Sequence, residues 1–77
     1  RFRRLFSDCC VSIGKSGNII MVKTLSGAAS AVGEAVDGLN LEGVLGSVAG
    51  DDCLLVVVAD GVNAEDVLRN LRKIAGL

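Results

Sequence analysis

The stretch Cys53-Leu-Leu-Val-Val-Val-Ala59 decides the fold, because it is apolar at every position. A strand with one face in water alternates apolar and polar residues, whereas a continuous aliphatic run is typical of a strand buried on both faces. We therefore predict a strand at 53–59 inside a sheet whose one face packs against helices. The second face also needs cover, and another subunit is its natural source.

Two hairpins are predicted to supply the rest of the sheet. The turn residues Lys15-Ser-Gly-Asn18 separate apolar runs at 8–14 and 19–23, which favours a β-hairpin. A short apolar run at 44–49 precedes the tight turn Gly50-Asp51-Asp52, which leads into the strand at 53–59.

Two segments have helical spacing of their apolar residues. The first covers about 27–39, with Ser26 as a plausible N-cap, and the second follows the cap residue Asn63. The order ββαββα predicts an α/β two-layer (α+β) sandwich, in which two helices cover an antiparallel four-stranded sheet.

The length and composition indicate one small domain that associates with itself. The chain has 77 residues, and 51% of them are hydrophobic but only 3% are aromatic. So small a domain has little interior in which to bury so much aliphatic surface alone. We assign 8–77 to this domain and 1–7 to a linker or a short helical turn, since Phe2, Leu5 and Phe6 have helical spacing. Because Arg1 stands where an initiator Met would, we expect further chain upstream.

Several function classes are not expected. The net charge is −1, and the basic start Arg1-Phe-Arg-Arg4 is too short to supply phosphate affinity, so these residues alone should not read DNA. The sequence contains no His or Tyr, which excludes the usual acid–base and nucleophilic pairs of enzymes. No apolar run approaches the roughly 20 residues of a membrane span.

The three cysteines predict neither a disulfide framework nor a metal site. Cys9 and Cys10 are adjacent, Cys53 is distant, and no metal-ligand spacing occurs. We expect reduced thiols in a cytoplasmic protein without a metal or cofactor.

The acidic residues are the remaining candidates for chemistry. Asp51 and Asp52 repel each other unless they are solvated or meet a cation, and Asp37 on the polar stripe of the first helix could add a third carboxylate. A guanidinium matches carboxylates bidentately, so a cationic ligand is one interpretation. A solvated turn and a solvated helix face are the alternatives.

These segments resemble a known family. The stretch Val44–Cys53 (VLGSVAGDDC) resembles the GTIAGDDT signature of the bacterial arginine repressor's C-terminal domain, and Ser16–Thr24 resembles its SGN-hydrophobic-KT hairpin. Gly27-Ala-Ala29, followed by Asp37 and Leu39, resembles its first helix.

The resemblance implies a hexamer, arranged as a dimer of trimers, that binds L-arginine as corepressor between the trimers. It implies an upstream winged helix-turn-helix that reads operator DNA in a regulator of arginine biosynthesis and metabolism. The residues implied for L-arginine binding are Asp51, Asp52, Asp37, Ala49, Ser47 and Ser30.

Four positions differ from the family pattern. Ser47 and Cys53 stand where Thr is usual, Leu25-Ser26 replaces x-Pro, and Ser30 stands where a longer polar side chain is typical. The change at Ser30 shortens the reach toward a ligand. It favours the alternative that the chain is a purely structural hexamerisation module that has lost arginine sensing. An enzyme of similar element order, such as a pterin dehydratase, would need histidines that this chain lacks.

Overall fold

A computed structural model describes residues 2–77, so Arg1 of the predicted linker lies outside the described residues. The elements in chain order are α1 (Phe2–Cys9), β1 (Cys10–Ser16), β2 (Ile19–Thr24), α2 (Ala29–Leu39), β3 (Val44–Ala49), β4 (Cys53–Val58) and α3 (Ala64–Ala75). The predicted ββαββα order is confirmed and is preceded by an additional helix.

The four strands form one antiparallel sheet in the order β1-β2-β4-β3. The aliphatic strand β4 therefore lies between two neighbours, as its composition predicted. The β1–β2 turn is tight because Gly17 adopts a left-handed conformation with φ of 59°. Asn18 then joins this hairpin to β4, since its carbonyl accepts from the Val58 N–H at 2.9 Å and its side-chain amide donates to the Val58 carbonyl at 3.2 Å.

The hydrophobic core lies between one face of the sheet and the helices. Helix α2 packs on β3 and β4, α3 packs on β1 and β2, and α1 packs against both helices. The inner sheet face contributes alternate residues of the two central strands, and the helices contribute their apolar stripes. The fully buried side chains are Phe6, Ile20, Val22, Val32, Val36, Leu54, Val56, Val58 and Leu71.

The outer sheet face is apolar but is not covered by this chain. Exposure along β4 alternates, with Leu54, Val56 and Val58 buried beneath the helices and Leu55 39% exposed on the other side. All three helices lie on the inner side, so this chain covers only one face of 53–59, as expected; the cover of its second face by another subunit stays a prediction. The outer sheet face comprises Ile19, Met21, Val48, Leu55 and Val57.

The first element is the helical alternative for the start of the chain, and it is longer than predicted. Residues 2–9 form α1, so the strand predicted to begin at Asp8 begins at Cys10 instead. Phe2, Leu5, Phe6 and Cys9 continue one helical spacing, and the completely buried Phe6 anchors that face to the core. The described part of the predicted linker is thus helix packed against the domain.

The helix ends follow local capping chemistry, with one correction. The Asn63 side chain accepts from the Glu65 N–H at 3.0 Å, which confirms it as the N-cap of α3. Ser26 is not the cap of α2, because the N-cap position belongs to Ala28 and makes no side-chain hydrogen bond. Helix α2 ends at Asn40, which adopts a left-handed conformation with φ of 51°.

The three cysteines are free and partly buried. Burial raises the pKa of the Cys10 thiol above its ordinary value, because desolvation penalises the thiolate. Among residues 2–77, no group of three or more His, Cys, Asp or Glu side chains could hold a metal ion.

We predict that Phe6→Ala destabilises the domain by about 3–5 kcal/mol, because it empties a completely buried aromatic site. Urea denaturation at fixed protein concentration measures this loss. The matched variant is Phe2→Ala, in the same helix but at a ring that is 42% exposed, and it should cost clearly less. Equal losses at both positions would show that α1 is not anchored through Phe6.

We predict that alkylation of Cys10 follows a pH profile shifted to higher pH in the folded protein. Iodoacetamide reacts with the thiolate, and the raised pKa lowers the thiolate fraction at any given pH. The measurement compares alkylation rates of a Cys9→Ser, Cys53→Ser variant when folded and when unfolded in urea. A folded profile with the same midpoint, or a lower one, would contradict this expectation.

Candidate functional site

The acidic turn Gly50-Asp51-Asp52 is fixed by backbone hydrogen bonds at the N-terminal end of α2. The Gly50 N–H donates to the Cys53 carbonyl at 2.8 Å and closes the turn. The Asp52 carbonyl accepts from the Thr24 N–H at 2.8 Å, and the Asp51 carbonyl accepts from the Ala29 N–H at 3.2 Å. The turn is therefore held in place by hydrogen bonds of its backbone, and none of these three bonds uses a carboxylate of Asp51 or Asp52.

The two carboxylates of this turn are exposed and differ in their partners. Ser26 Oγ donates to Asp51 Oδ2 at 3.3 Å, and Asp51 lies near the positive end of the α2 dipole, which favours an anion. The ion pairs among residues 2–77 are Arg4–Asp8, Lys15–Glu65 and Asp66–Arg69, and none includes Asp51 or Asp52. A ligand cation would therefore displace no ion-pair partner of Asp51 or Asp52 among these described residues.

Asp37 lies at the opposite end of α2, in its last turn. Its position is about 12 Å along the helix axis from Ala29, which contacts the acidic turn. The donors of one guanidinium form a single planar fork, so they cannot contact Asp37 and the acidic turn of the same chain together. The structure brings Asp51 and Asp52 together and does not add Asp37 to them within one chain.

Asp37 borders a cleft of about 190 Å³. The cleft is formed by the end of α2, the following loop and the start of β3, and its lining residues are Val36, Asp37, Asn40, Leu41, Val44, Leu45 and Gly46. The C-terminal end of a helix favours cations, yet the last turn of α2 contains no basic residue. Asp37 adds a negative charge to that negative helix end, so the cleft is suited to a cationic group.

The small residues predicted for the site lie along the strip of surface between the acidic turn and Asp37. They are Ser30, Ser47 and Ala49. Ser30, Gly33 and Asp37 have i, i+3, i+7 spacing and share one face of α2. Gly33 faces Ser47 of β3, because a Cβ atom built at Gly33 would lie 3.7 Å from Ser47 Oγ. Ala49, two residues after Ser47, is on the same side of β3 and leads into the acidic turn.

We call this strip between α2 and β3 the acidic groove, with the acidic turn at one end and Asp37 at the other. Ser30 and Ala49 are exposed and Ser47 is half-buried, so all three can be reached from outside. The side chain of Ser30 is a single hydroxymethyl group, so it reaches less far into the groove than a longer polar side chain would.

The structure adds residues to the site that sequence reasoning missed. Ser26 contacts Asp51 across 25 positions of sequence, and no local pattern could signal that pair. Leu41 and Leu45 line the cleft beside Asp37, and Leu45 is 73% exposed. A bulge between Val44 and Gly46 accounts for its outward position, since it breaks the regular alternation of the strand.

Comparisons with known proteins identify the family of this chain. The family described as "Arginine repressor, C-terminal domain" matches residues 6–73. The chain is 43% identical over 74 residues to the arginine repressor of Alkaliphilus metalliredigens (strain QYMF), covering 96% of this chain and 50% of that protein. It is 40% identical over 74 residues to the arginine repressor of Moorella thermoacetica, covering 96% of this chain and 49% of that protein.

A third relative, the arginine repressor of Thermoanaerobacter sp. (strain X514), is 39% identical over 74 residues, with 96% of this chain and 49% of that protein covered. The chain thus spans about half the length of the curated relatives that it matches. With the family match extending over most of the sequence, the chain belongs to the arginine repressor C-terminal domain family.

Proposed function

We propose that this chain is the oligomerising, L-arginine-sensing part of a transcriptional regulator of arginine metabolism, and not an enzyme. The observation that carries the proposal is the acidic groove, with exposed carboxylates at both ends and no ion-pair partner for them among residues 2–77. The names of the relatives point to the same effector.

L-arginine fits the charges of this groove. Its guanidinium offers donors in a planar fork that pairs bidentately with carboxylates, and its α-ammonium is a second cation. A ligand with two cationic groups relieves the repulsion between Asp51 and Asp52 and also neutralises Asp37 at the negative end of α2. Ser30, Ser47 and Ala49 would line the pocket between these groups.

The ligand site is proposed to form between protomers. Asp37 and the acidic turn of one chain are about 12 Å apart along α2, so a single cationic group that contacts both kinds of acid needs residues from two copies. A site at a trimer–trimer interface satisfies this requirement. Such a site exists only in the assembled state, and mass action then makes L-arginine favour assembly.

The outer sheet face is the proposed contact within a trimer. It consists of aliphatic side chains from β2, β3 and β4, and neighbouring residues such as Met21 and Leu55 are in register across the sheet. Exposed contiguous apolar surface of this kind marks protein–protein interfaces. A dimer of two such trimers gives the proposed hexamer.

DNA recognition is assigned to a part of the protein that this chain does not include, proposed as an upstream winged helix-turn-helix. The net charge of −1 supports this division. The structure describes no helix among residues 2–77 that has the length and hydrophobicity to cross a membrane.

A second candidate function is a structural hexamerisation module without arginine sensing. The short, exposed Ser30 favours it, because a longer polar side chain at this position would reach further into the groove. Direct measurement of L-arginine binding separates the two candidates.

We predict that Asp52→Asn and Asp51→Asn each weaken L-arginine binding roughly tenfold or more. A hydrogen bond to a charged group contributes about 1.5–3 kcal/mol, and each variant loses the charge that strengthens it. Calorimetric titration of the wild type and both variants measures the affinities, with native mass followed in parallel.

The controls for this titration use both ligand and protein. Citrulline keeps the shape of arginine without the charge, and lysine offers a point charge without the fork, so both should bind much more weakly. Asp60→Asn, an exposed acid in another turn, should bind arginine like the wild type. Equal arginine affinity in the wild type and both acidic-turn variants would show that Asp51 and Asp52 form only a solvated turn.

We predict that Leu55→Glu converts the oligomer to a monomer of about the chain mass, 7.9 kDa. The substitution would put an unpaired charge into the interface, which costs several kcal/mol per ion. Light scattering at micromolar concentration gives the mass. Leu77→Glu, at an exposed residue at the end of the chain, is the matched control and should keep the wild-type mass. A monomeric wild type would refute the proposed assembly.

A further inference from the structure

Gly38 follows Asp37 directly in α2, and the aromatic ring of Phe2 occupies the space in which a side chain at 38 would begin. A Cβ atom built at Gly38 would lie 2.6 Å from Cε2 and Cζ of the Phe2 ring and 2.7 Å from its Cδ2. Such distances are shorter than real Cβ contacts allow. With the ring in this position there is room only for a residue without a side chain at 38, and any larger residue would displace the ring, which is the end of a flexible side chain.

This lack of room explains an otherwise unfavourable residue. Glycine destabilises a helix relative to alanine, and Gly38 does not have the positive φ that would require glycine. Helix propensity alone would favour alanine here. The close approach of Phe2 is the structural reason for glycine at this position.

The contact between Phe2 and Gly38 can open without unfolding the domain. Phe2 is the first residue of α1 and is 42% exposed, whereas Phe6, one turn later, is completely buried. A ring that is partly exposed has fewer packing contacts to lose than a buried one. We call the Phe2 ring docked when it lies on Gly38 and undocked when it has moved away while Phe6 still anchors the helix.

The turn beneath the ring is the one that carries Asp37. Helix α2 ends three residues later at Asn40, whose N–H donates to the Asp37 carbonyl at 3.1 Å. This last turn has no basic side chain to neutralise its negative end. The docked ring packs against Gly38 and restricts how the turn, and with it Asp37, can move.

We propose that Phe2 is a positioning residue for the L-arginine site and that docking of its ring and binding of arginine at Asp37 favour each other. The inference rests on the proposed function. A ligand shifts a two-state equilibrium when it binds one state better, and docked Phe2 supports the geometry in which Asp37 meets the ligand cation. By linkage the effect is reciprocal, so arginine must also increase docking.

The test is a double-mutant cycle at the two positions in the oligomeric chain. Phe2→Ala removes the ring, and Gly38→Ala displaces it. Each should weaken L-arginine binding by roughly fivefold or more in calorimetry, the lower end of typical coupling between sites. In the Phe2→Ala background, Gly38→Ala should produce no further loss, because the collision no longer exists.

Amide hydrogen exchange adds a readout that a purely structural role would not change. The N–H groups of residues 6 and 7 donate to carbonyls of the first turn of α1 in an α-helix. Arginine should slow their exchange in the wild type and should not do so in Phe2→Ala or Gly38→Ala. Native mass in each variant establishes that the assembly is unchanged.

The outcomes separate this inference from the proposed function. If the wild type does not bind arginine, both are overturned. If the wild type binds arginine, while Phe2→Ala binds it equally well or arginine leaves the exchange of residues 6 and 7 unchanged, only the role of Phe2 is overturned. Additive losses in the double variant would also overturn it.

Discussion

The packing of β4 constrains the rest of the structure. Its inner residues Leu54, Val56 and Val58 are completely buried against the helices, while its outer residues are equally aliphatic and have no cover from the same chain. A chain of this length has helices enough for one face of a four-stranded sheet. Nothing in residues 2–77 covers the second face, so its cover must come from outside this chain, and the same strand serves the core and the proposed assembly.

The two edges of the sheet differ in a way that agrees with this arrangement. On the edge strand β1, Arg72 of α3 donates to the Ile13 carbonyl through Nε at 3.3 Å and Nη2 at 2.8 Å. Lys15 of the same strand pairs with Glu65. Such polar cover protects an edge from unwanted pairing. The opposite edge, β3, instead borders the acidic groove and projects the exposed Leu45 beside Asp37.

Sequence patterns predicted the regular elements well, because alternation and helical spacing report directly which face is buried. They failed at the start of the chain, where Phe2, Leu5 and Phe6 span little more than one turn and do not show where the helix ends. The acidic turn could be located from its residues alone. The distance between the acidic turn and Asp37 could not be predicted, since residue spacing shows which face of α2 a residue occupies but not what lies at each end of the helix. The contact between Phe2 and Gly38 joins elements far apart in sequence and has no local signal.

The placement of the acids along α2 shows how a groove of this kind can respond to a cation. Asp51 lies at the helix end that stabilises an anion and accepts from Ser26, so it is well accommodated without ligand. Asp37 lies at the end that disfavours an anion, and no basic residue of its own turn offsets that charge. A cation bound at Asp37 would also offset the negative end of the helix, which a cation bound at Asp51 would not do. Because Asp37 is next to Gly38, the proposed ligand would act at the end of α2 that touches α1.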